Sequence, residues 1–184
     1  MIKNAFVFIF NVVILGLILS LAASALWEWF NRIDPSKIMG YFPYANDYVY
    51  ADGKTYKNSS PFPEENMPRQ IDPKEPLPLK FGEKEYILRL GIKNMNSNQL
   101  VNTYIFLKLP EGVMVTNKER WQINSNSEYY ICLGTVNPDM LTRSGSGIYL
   151  SFDKADLYTL TYSISGNFPI IRDRILPINV YKNE

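Results

Sequence analysis

The sequence predicts an all-β protein, an antiparallel immunoglobulin-like β-sandwich that follows one N-terminal transmembrane α-helix. Three observations lead to this fold class. Residues 5–27 hold no charged side chain, eight of the twelve prolines lie between Pro35 and Pro78, and apolar and polar side chains alternate from about residue 81, as in half-buried strands. We therefore expect an anchor at 1–30, a linker rich in proline and tyrosine at 31–80, and the sandwich at 81–184.

The apolar N-terminal segment is long enough to cross a bilayer. As a helix, the uncharged run Ala5–Trp27 would reach about 34 Å, against a hydrocarbon core of about 30 Å. Ala23-Ser24-Ala25 also fits a signal-peptidase site, but the run exceeds the usual signal core of about 7–15 residues. It ends in Trp27, Trp29 and Phe30, which suit the interfacial aromatic belt. We expect a retained anchor rather than cleavage after Ala25.

One side of this predicted helix carries small and polar side chains. Gly16, Ser20 and Ser24 recur every four residues and so share a face, which another helix backbone could approach closely. Asn11 lies in the apolar half, where its amide favours a hydrogen-bonding partner. Small residues are also common in any anchor, and serine hydroxyls bond to their own helix. The expected partners are the lipid bilayer and other transmembrane subunits, in a hetero-complex or a homo-oligomer.

The charge around the segment predicts its orientation. Lys3 is the only charged side chain before it, and almost all of the polar sequence follows it. A short basic head with a long tail usually leaves the head in the cytoplasm. We expect a single-pass protein of the cell membrane, with its N-terminus cytoplasmic and its C-terminal domain extracytoplasmic.

The composition argues against several classes of site. The formal net charge is +1, from 19 basic and 18 acidic residues, and no basic block suggests nucleic acid as a partner. The chain lacks histidine, the commonest general base and transition-metal ligand. Cys132 is the single cysteine, and its strand-like neighbours favour a small buried residue over an intermolecular bridge. We expect no catalytic, cofactor-binding or metal-binding residues, and hence no enzyme.

Two further groups of polar residues have structural explanations. Asp153 and Asp156 flank a strand end, where turn hydrogen bonds are favoured over a calcium site because no dense set of oxygen ligands surrounds them. Ser144-Gly145-Ser146-Gly147 lacks the Gly-Lys-Ser/Thr ending of a phosphate-binding loop and is predicted to connect two strands. A nucleophilic serine would also need a nearby base.

The linker contains a hairpin signal. Tyr48-Val49-Tyr50 and Thr55-Tyr56 flank Asp52-Gly53, a dipeptide that favours a tight turn. The prolines of 31–80 argue against a long helix or a central strand. The region is therefore either a small arm that packs on a neighbour or a stalk that sets the distance from the bilayer. Asn58-Ser59-Ser60 matches a glycosylation acceptor.

Alternating side chains predict six main strands after residue 81. The first is read from 85–94, the second from 100–110, and the others from 128–135, 147–153, 156–165 and 174–182, with 119–123 as a short addition. In the first strand, the residues expected to share one face are Tyr86, Leu88, Leu90 and Ile92. In the second strand they are Val101, Thr103, Ile105, Leu107 and Leu109. In the fifth strand they are Tyr158, Leu160, Tyr162 and Ile164. Turn signals without an intervening helical period favour an antiparallel sandwich of immunoglobulin-like size.

The segment NMNSNQLVNTYIFLKLPEGVMV carries a pattern of turn and core positions, at Asn94, Leu100, Asn102, Leu107, Pro110, Glu111, Gly112 and Val113. This pattern resembles that of bacterial and archaeal cell-envelope immunoglobulin-like modules, such as CARDB-type surface domains. The stretches YTLTYSISGNFP and ILPINV resemble the last two strands of these modules. The resemblance covers about residues 81–181 and implies an extracytoplasmic module for binding or assembly, without catalysis.

Aromatic side chains are the remaining candidates for a binding site. Trp121, Tyr129, Tyr130, Tyr149 and Tyr158 either belong to the core or form a surface for sugar stacking or protein binding, and the structural interpretation is favoured.

Together these features predict a membrane-anchored, non-catalytic accessory or structural subunit of a membrane protein assembly, whose β-sandwich makes protein contacts outside the cytoplasm. A pilin-like filament subunit is one alternative, since it also joins an apolar helix to a β-sandwich. Type IV prepilins usually carry a glutamate soon after their processing site, and no acidic residue precedes Glu28 in this chain. A surface module that binds or adheres to glycan or protein is the other alternative.

Overall fold

The computed structural model describes residues 2–30, 32–42, 47–49, 55–57, 69–82 and 86–182. The chain divides into two compact units, Met1–Ile33 and Asp34–Glu184. The first unit contains the helix α1 (Ile2–Phe30), and the second contains the strands.

Helix α1 is built from the apolar N-terminal segment and is 29 residues long. Its sequence is rich in leucine and alanine, which favour helix, and contains no proline to interrupt it. The described side chains of α1, at 13–27, are all exposed. Among the fully described residues, no helix is long and apolar enough to cross a membrane.

In its described part, the second unit forms a short 3-10 helix (Pro35–Lys37) and fifteen strands. The first eight are β1 (Ile38–Phe42), β2 (Asp47–Val49), β3 (Thr55–Lys57), β4 (Arg69–Gln70), β5 (Leu77–Lys80), β6 (Tyr86–Leu88), β7 (Gly91–Asn94) and β8 (Leu100–Lys108). The others are β9 (Val113–Asn117), β10 (Gln122–Ile123), β11 (Tyr129–Val136), β12 (Leu141–Arg143), β13 (Ile148–Phe152), β14 (Leu157–Ser165) and β15 (Ile171–Tyr181).

Hydrogen bonding arranges these strands in four sheets. The largest has the order β10-β11-β8-β14-β15-β5, and all its pairs are antiparallel except β15 with β5. A second sheet has the order β12-β7-β1-β4 and a third β6-β13-β9, while β2 and β3 form an antiparallel pair. The predicted all-β class is confirmed for the second unit, with sheets that are mostly antiparallel.

The six-stranded sheet contacts both the β12-β7-β1-β4 sheet and the β6-β13-β9 sheet. Tyr162 of β14 lies directly against Gly40 of β1, where an added Cβ would come within 3 Å of the tyrosine ring. Arg174 of β15 donates from its guanidinium to the carbonyl of Ile38 at 2.6 Å, which joins the same two sheets. The ring of Phe152 in β13 contacts the ring of Tyr158 in β14, with 5.0 Å between the centroids.

Most strand predictions are confirmed. Two strands, β13 and β14, lie inside the segments predicted for them, and two others, β11 and β15, overlap theirs. Strand β10 lies in the segment where a short additional strand was expected. Strand β14 follows its prediction most closely, because Tyr158, Leu160, Tyr162 and Ile164 are all buried. A strand presents alternate residues to one side, so a two-residue apolar period places them all on the core face.

The segment predicted as one strand at 85–94 is instead two strands in different sheets. Strand β6 pairs with β13, whereas β7 pairs with β1 and β12. Between these two strands, Leu90 makes two hydrogen bonds with Ser144. The Ser144 N–H donates to the Leu90 carbonyl at 2.7 Å, and the Leu90 N–H donates to the Ser144 Oγ. The four apolar residues predicted to share a face are nevertheless all buried.

The predicted face of β8 is wrong at Val101, which is exposed, whereas Thr103, Ile105 and Leu107 are buried. Leu109 is half-buried just beyond the end of β8, and Leu100, which was not in the predicted set, is buried. Asn102 has a φ of 51°, in the left-handed region, and the pairing with β11 shifts register here. The irregularity places an extra residue between two core positions, so Val101 turns outward.

The segment 31–80 contributes strands to the sheets. Strand β1 lies between β7 and β4, so the expectation that this segment holds no central strand is wrong, while β5 forms one edge of the six-stranded sheet. The strands expected on either side of Asp52-Gly53 are present as β2 and β3. The turn itself and the possible glycosylation site at Asn58-Ser59-Ser60 lie outside the described residues.

Candidate functional site

The residues predicted for helix packing and interfacial anchoring all lie in α1. Gly16, Ser20 and Ser24 are exposed, and an added Cβ at Gly16 would meet no atom within 4 Å. Trp27 is also exposed. The side chains of Asn11, Trp29 and Phe30 lie outside the described residues.

A second candidate surface is a cluster of three aromatic rings on the outer face of the six-stranded sheet. We call Tyr104, Phe106 and Tyr130 the aromatic face. The rings of Phe106 and Tyr130 stack, with centroids 5.6 Å apart and an interplanar angle of 26°. The ring of Tyr104 lies 6.4 Å from that of Phe106 and 6.5 Å from that of Tyr130. All three side chains are half-buried, so part of each ring is open to solvent.

Strand register brings the three rings together. Tyr104 and Phe106 are two residues apart on β8 and therefore point to the same side. Tyr130 of β11 lies directly opposite Phe106. The alternate residues Ile105 and Ile131 are buried on the other side of the sheet.

Small polar side chains border the aromatic face. On β14, Ser163 lies opposite Phe106 and Ser165 lies opposite Tyr104. On the other side, Gln122 of β10 lies opposite Tyr130, and its Oε1 accepts a hydrogen bond from the tyrosine hydroxyl at 2.5 Å. Because serines have short side chains, the rings stand above their neighbours on β14.

A cavity of about 410 Å³ opens beside the rings. Its wall includes Tyr104, Tyr130, Arg120, Gln122, Cys132 and Ser146. This volume lies within the range of about 300–1,000 Å³ that is typical of small-molecule sites. Of the described side chains that line the cavity, Arg120 alone is charged.

Hydrogen bonds fix the loop that forms one side of the cavity. Glu119 accepts from the N–H of Gly147 at 3.2 Å and from the hydroxyl of Tyr149 at 2.9 Å. Trp121, which is 1% exposed, donates from its indole N–H to the carbonyl of Ser146 at 3.1 Å. Arg120 is held between these two anchored residues, so the loop that carries it is preorganised.

The prediction that Cys132 is buried is wrong. Cys132 is a free, exposed cysteine. In β11 the core position is taken by Ile131, so strand alternation turns the next residue outward, opposite Tyr104. The neighbouring Cys132 side chain raises the pKa of Tyr104 above its ordinary value of 10.0.

The five aromatic residues singled out in the sequence do not form one surface. Trp121 and Tyr158 are buried, in agreement with the structural interpretation, while Tyr129 and Tyr149 are half-buried. Only Tyr130 belongs to the aromatic face. Sequence reasoning missed Tyr104 and Phe106, and the available signal was their alternation with Ile105 and Leu107.

The acidic and serine-rich segments have local partners. Asp153 accepts a hydrogen bond from the Tyr158 hydroxyl, and Asp156 pairs with Lys154 at 2.9 Å and accepts from the Leu157 N–H. The Lys154 ammonium lowers the pKa of Asp156. In the described part of the chain, no group of three or more acidic or cysteine side chains is arranged to hold a metal ion. The segment 144–147 connects β12 to β13, as expected.

The aromatic face combines flat apolar rings with a polar border and one cation, an arrangement suited to noncovalent binding. No protein-family model matches the chain, and no curated protein matches it either.

Proposed function

We propose that the chain is a membrane-anchored, non-catalytic accessory or structural subunit of a membrane protein assembly. In this proposal α1 is a single-pass transmembrane anchor with a cytoplasmic N-terminus. The second unit is an immunoglobulin-like β-sandwich outside the cytoplasm, where it contacts other proteins. The observation that carries the proposal is an apolar helix with an uncharged run at 5–27, whose described side chains are exposed.

The exposed apolar side chains of α1 argue for a nonaqueous environment. Leu17, Leu19 and Leu21 are 60%, 61% and 70% exposed. Burial of a leucine side chain contributes about 1.5–3 kcal/mol relative to exposure in water. A lipid bilayer or neighbouring helices would supply that burial along the whole uncharged run of α1.

The small-residue side of α1 supports pairing with another helix. Without a hydrophobic force between helices in lipid, close packing across small residues favours association. Gly16 has open space around its Cα, and Ser20 and Ser24 continue the same side. Asn11 adds an amide that can bond across the helix pair.

Copurification tests this assembly. The full chain is extracted in mild detergent and its companions are identified by mass spectrometry, for the wild type, Gly16→Leu and Ala22→Leu. Ala22 lies about half a turn from Ser20, on the other side of α1, so it is the matched control. We expect companions to be lost from Gly16→Leu and retained by Ala22→Leu. A wild type that elutes as a monomer without companions would refute the proposal.

Cys132 provides a test of location, because it is the single cysteine of the chain and is exposed. A membrane-impermeant maleimide added to intact cells should label the protein through Cys132, and Cys132→Ser should remove the label. Labelling that occurs only after the membrane is permeabilised would place the β unit in the cytoplasm and contradict the proposed orientation.

The aromatic face favours a second candidate function, an extracytoplasmic module that binds a ligand on the β-sandwich. Small-molecule sites are lined mainly by apolar and aromatic side chains, with a few polar or charged groups that fix the orientation of the ligand. Here Tyr104, Phe106 and Tyr130 lie beside a cavity that Arg120 borders. Both functions can belong to one anchored protein.

A further inference from the structure

We infer that the aromatic face and the adjoining cavity bind a neutral oligosaccharide, with one pyranose ring stacked on Tyr130, which lines the cavity. This inference deepens the second candidate function and rests on it. It names the class of ligand that the β unit would hold.

The ring geometry fits one face of a sugar. The carbon-bound hydrogens of a pyranose form an apolar face that carries a slight positive charge, whereas aromatic rings have a negative face. Phe106 and Tyr130 stack within 26° of parallel, with centroids 5.6 Å apart, so Phe106 packs on one face of the Tyr130 ring and fixes its orientation. Tyr130 and Tyr104 line the cavity and Phe106 does not, so these two tyrosines are the rings that a sugar in the cavity would meet.

The polar groups lie where the rim of a sugar would meet them. Gln122 uses its Oε1 for the Tyr130 hydroxyl, which fixes the amide so that its NH₂ can donate to a sugar hydroxyl. Arg120 lies on the anchored loop beside it and offers further donors. On the opposite border, Ser163 and Ser165 are short enough to leave the rings open to a flat ligand.

The electrostatic character of the site favours a neutral ligand over nucleic acid. Stacking platforms for single-stranded nucleic acid combine aromatic rings with a positively charged groove that follows the phosphates. Of the described side chains that line this cavity, only Arg120 is charged, and the whole chain has a formal net charge of +1. Stacking surfaces are therefore present without the charge that a polyanion requires.

The size of the site favours a small ligand over a protein. A stable protein interface buries about 800 Å² on each partner, with some 20–30 residues. The aromatic face has three rings, and the cavity of about 410 Å³ is of small-molecule size. Because Tyr130 lines the cavity, a short oligosaccharide can occupy it and stack on that ring at the same time.

Binding is measured with the purified full chain in a zwitterionic detergent, because detergents with glucoside or maltoside headgroups would compete. The probes are neutral hexasaccharides of β-1,4-linked glucose, N-acetylglucosamine or mannose, and their binding is measured by isothermal titration calorimetry. We expect at least one of them to bind. Tyr130→Ala should weaken its affinity about tenfold or more, which is typical when a central aromatic contact is removed.

Two variants serve as controls. Tyr130→Phe keeps the ring but removes the hydroxyl that fixes Gln122, so it should weaken binding less than Tyr130→Ala does. Tyr181→Ala removes an exposed tyrosine that does not line the cavity and should leave binding unchanged. A thermal melt of each variant shows whether the fold is intact.

A second measurement uses the wild type alone, since Cys132 lines the same cavity. The hexasaccharide that binds should slow the reaction of Cys132 with a maleimide. Absence of binding by all three probes, unchanged affinity in Tyr130→Ala, or unprotected Cys132 would each overturn the inference. Binding of a single-stranded oligothymidylate but of no sugar would also overturn it, in favour of nucleic acid. Copurification of membrane partners is independent of these results, so a failure of the ligand assignment leaves the assembly proposal standing.

Discussion

The packing of β1 against β14 can be tested by adding one methyl group. A Cβ at Gly40 would lie 2.5 Å from the hydroxyl oxygen of Tyr162, 2.8 Å from its Cζ and 2.9 Å from its Cε2. These distances are far below van der Waals contact, and both residues are buried. Overpacking of a filled core costs about 1–3 kcal/mol. Replacement of glycine by alanine otherwise stabilises by about 0.4–1 kcal/mol through the unfolded chain. We therefore expect Gly40→Ala to lower the free energy of unfolding by about 1–2 kcal/mol.

The assay is urea unfolding of the full chain in detergent, with the loss of strand structure monitored by circular dichroism. Gly82→Ala is the matched control, because an added Cβ there would meet no atom within 4 Å. Its midpoint should equal or slightly exceed that of the wild type. Tyr162→Phe in the Gly40→Ala background removes the closest atom but leaves two others, so it should restore part of the loss. Equal midpoints for Gly40→Ala and Gly82→Ala would refute the packing of the two sheets at this point.

Three further predictions concern buried polar groups. Asn96, which is 6% exposed, hydrogen-bonds to the backbone N–H and carbonyl of Asp34 and to the side-chain amide of Asn94. Asn96→Ala should therefore lower the free energy of unfolding in urea by about 2–4 kcal/mol. Asn179→Ala, at an exposed residue, is the control. In the described part of the chain Thr103 Oγ1 is buried without a hydrogen-bond partner, so Thr103→Val should be neutral or stabilising by about 1 kcal/mol in the same assay, and a clear loss would reveal a partner. Burial raises the pKa of Tyr162, so its hydroxyl ionises more readily in the unfolded chain. The neutral Tyr162 hydroxyl therefore contributes to stability below pH 10, and this contribution is lost as the pH rises through 10 and then through the higher pKa of the folded state. Between about pH 9 and 11.5, the free energy of unfolding of Tyr162→Phe should depend less on pH than that of the wild type.

Local patterns were sufficient for some strands. The segment DLYTLTYSIS alternates apolar and polar side chains, and the structure buries each apolar residue of that period from Tyr158 to Ile164. This inference requires only that successive side chains of a strand point to opposite sides. It does not require knowledge of which strands lie next to it.

Pairing between distant segments could not be inferred in the same way. Strand β1 lies inside a sheet and β5 pairs in parallel with β15, although both come from the segment read as a linker. Pro78 lies within β5, and proline is tolerated there because β5 is an edge strand. The expectation from proline content therefore holds at β5, which is an edge strand, but is wrong for the segment as a whole, because β1 is a central strand. Ile38–Phe42 has no proline and is short, so nothing local distinguishes it from a loop.

The position of the aromatic face depends on a single irregularity in β8. If side chains alternated regularly from the buried Leu100, the residues facing the core would include Tyr104 and Phe106, and Ile105 and Leu107 would face outward. The left-handed conformation of Asn102 and the register shift opposite Gly134 insert one residue, and the two sets exchange sides. The sequence TYIFL is apolar on both faces apart from Thr103, so the hydropathy signal for the outer face comes from the exposed Lys108 at the end of the strand. The aromatic site is thus specified by the backbone at Asn102 as much as by the rings themselves, because the same side chains in the regular register would form part of the core.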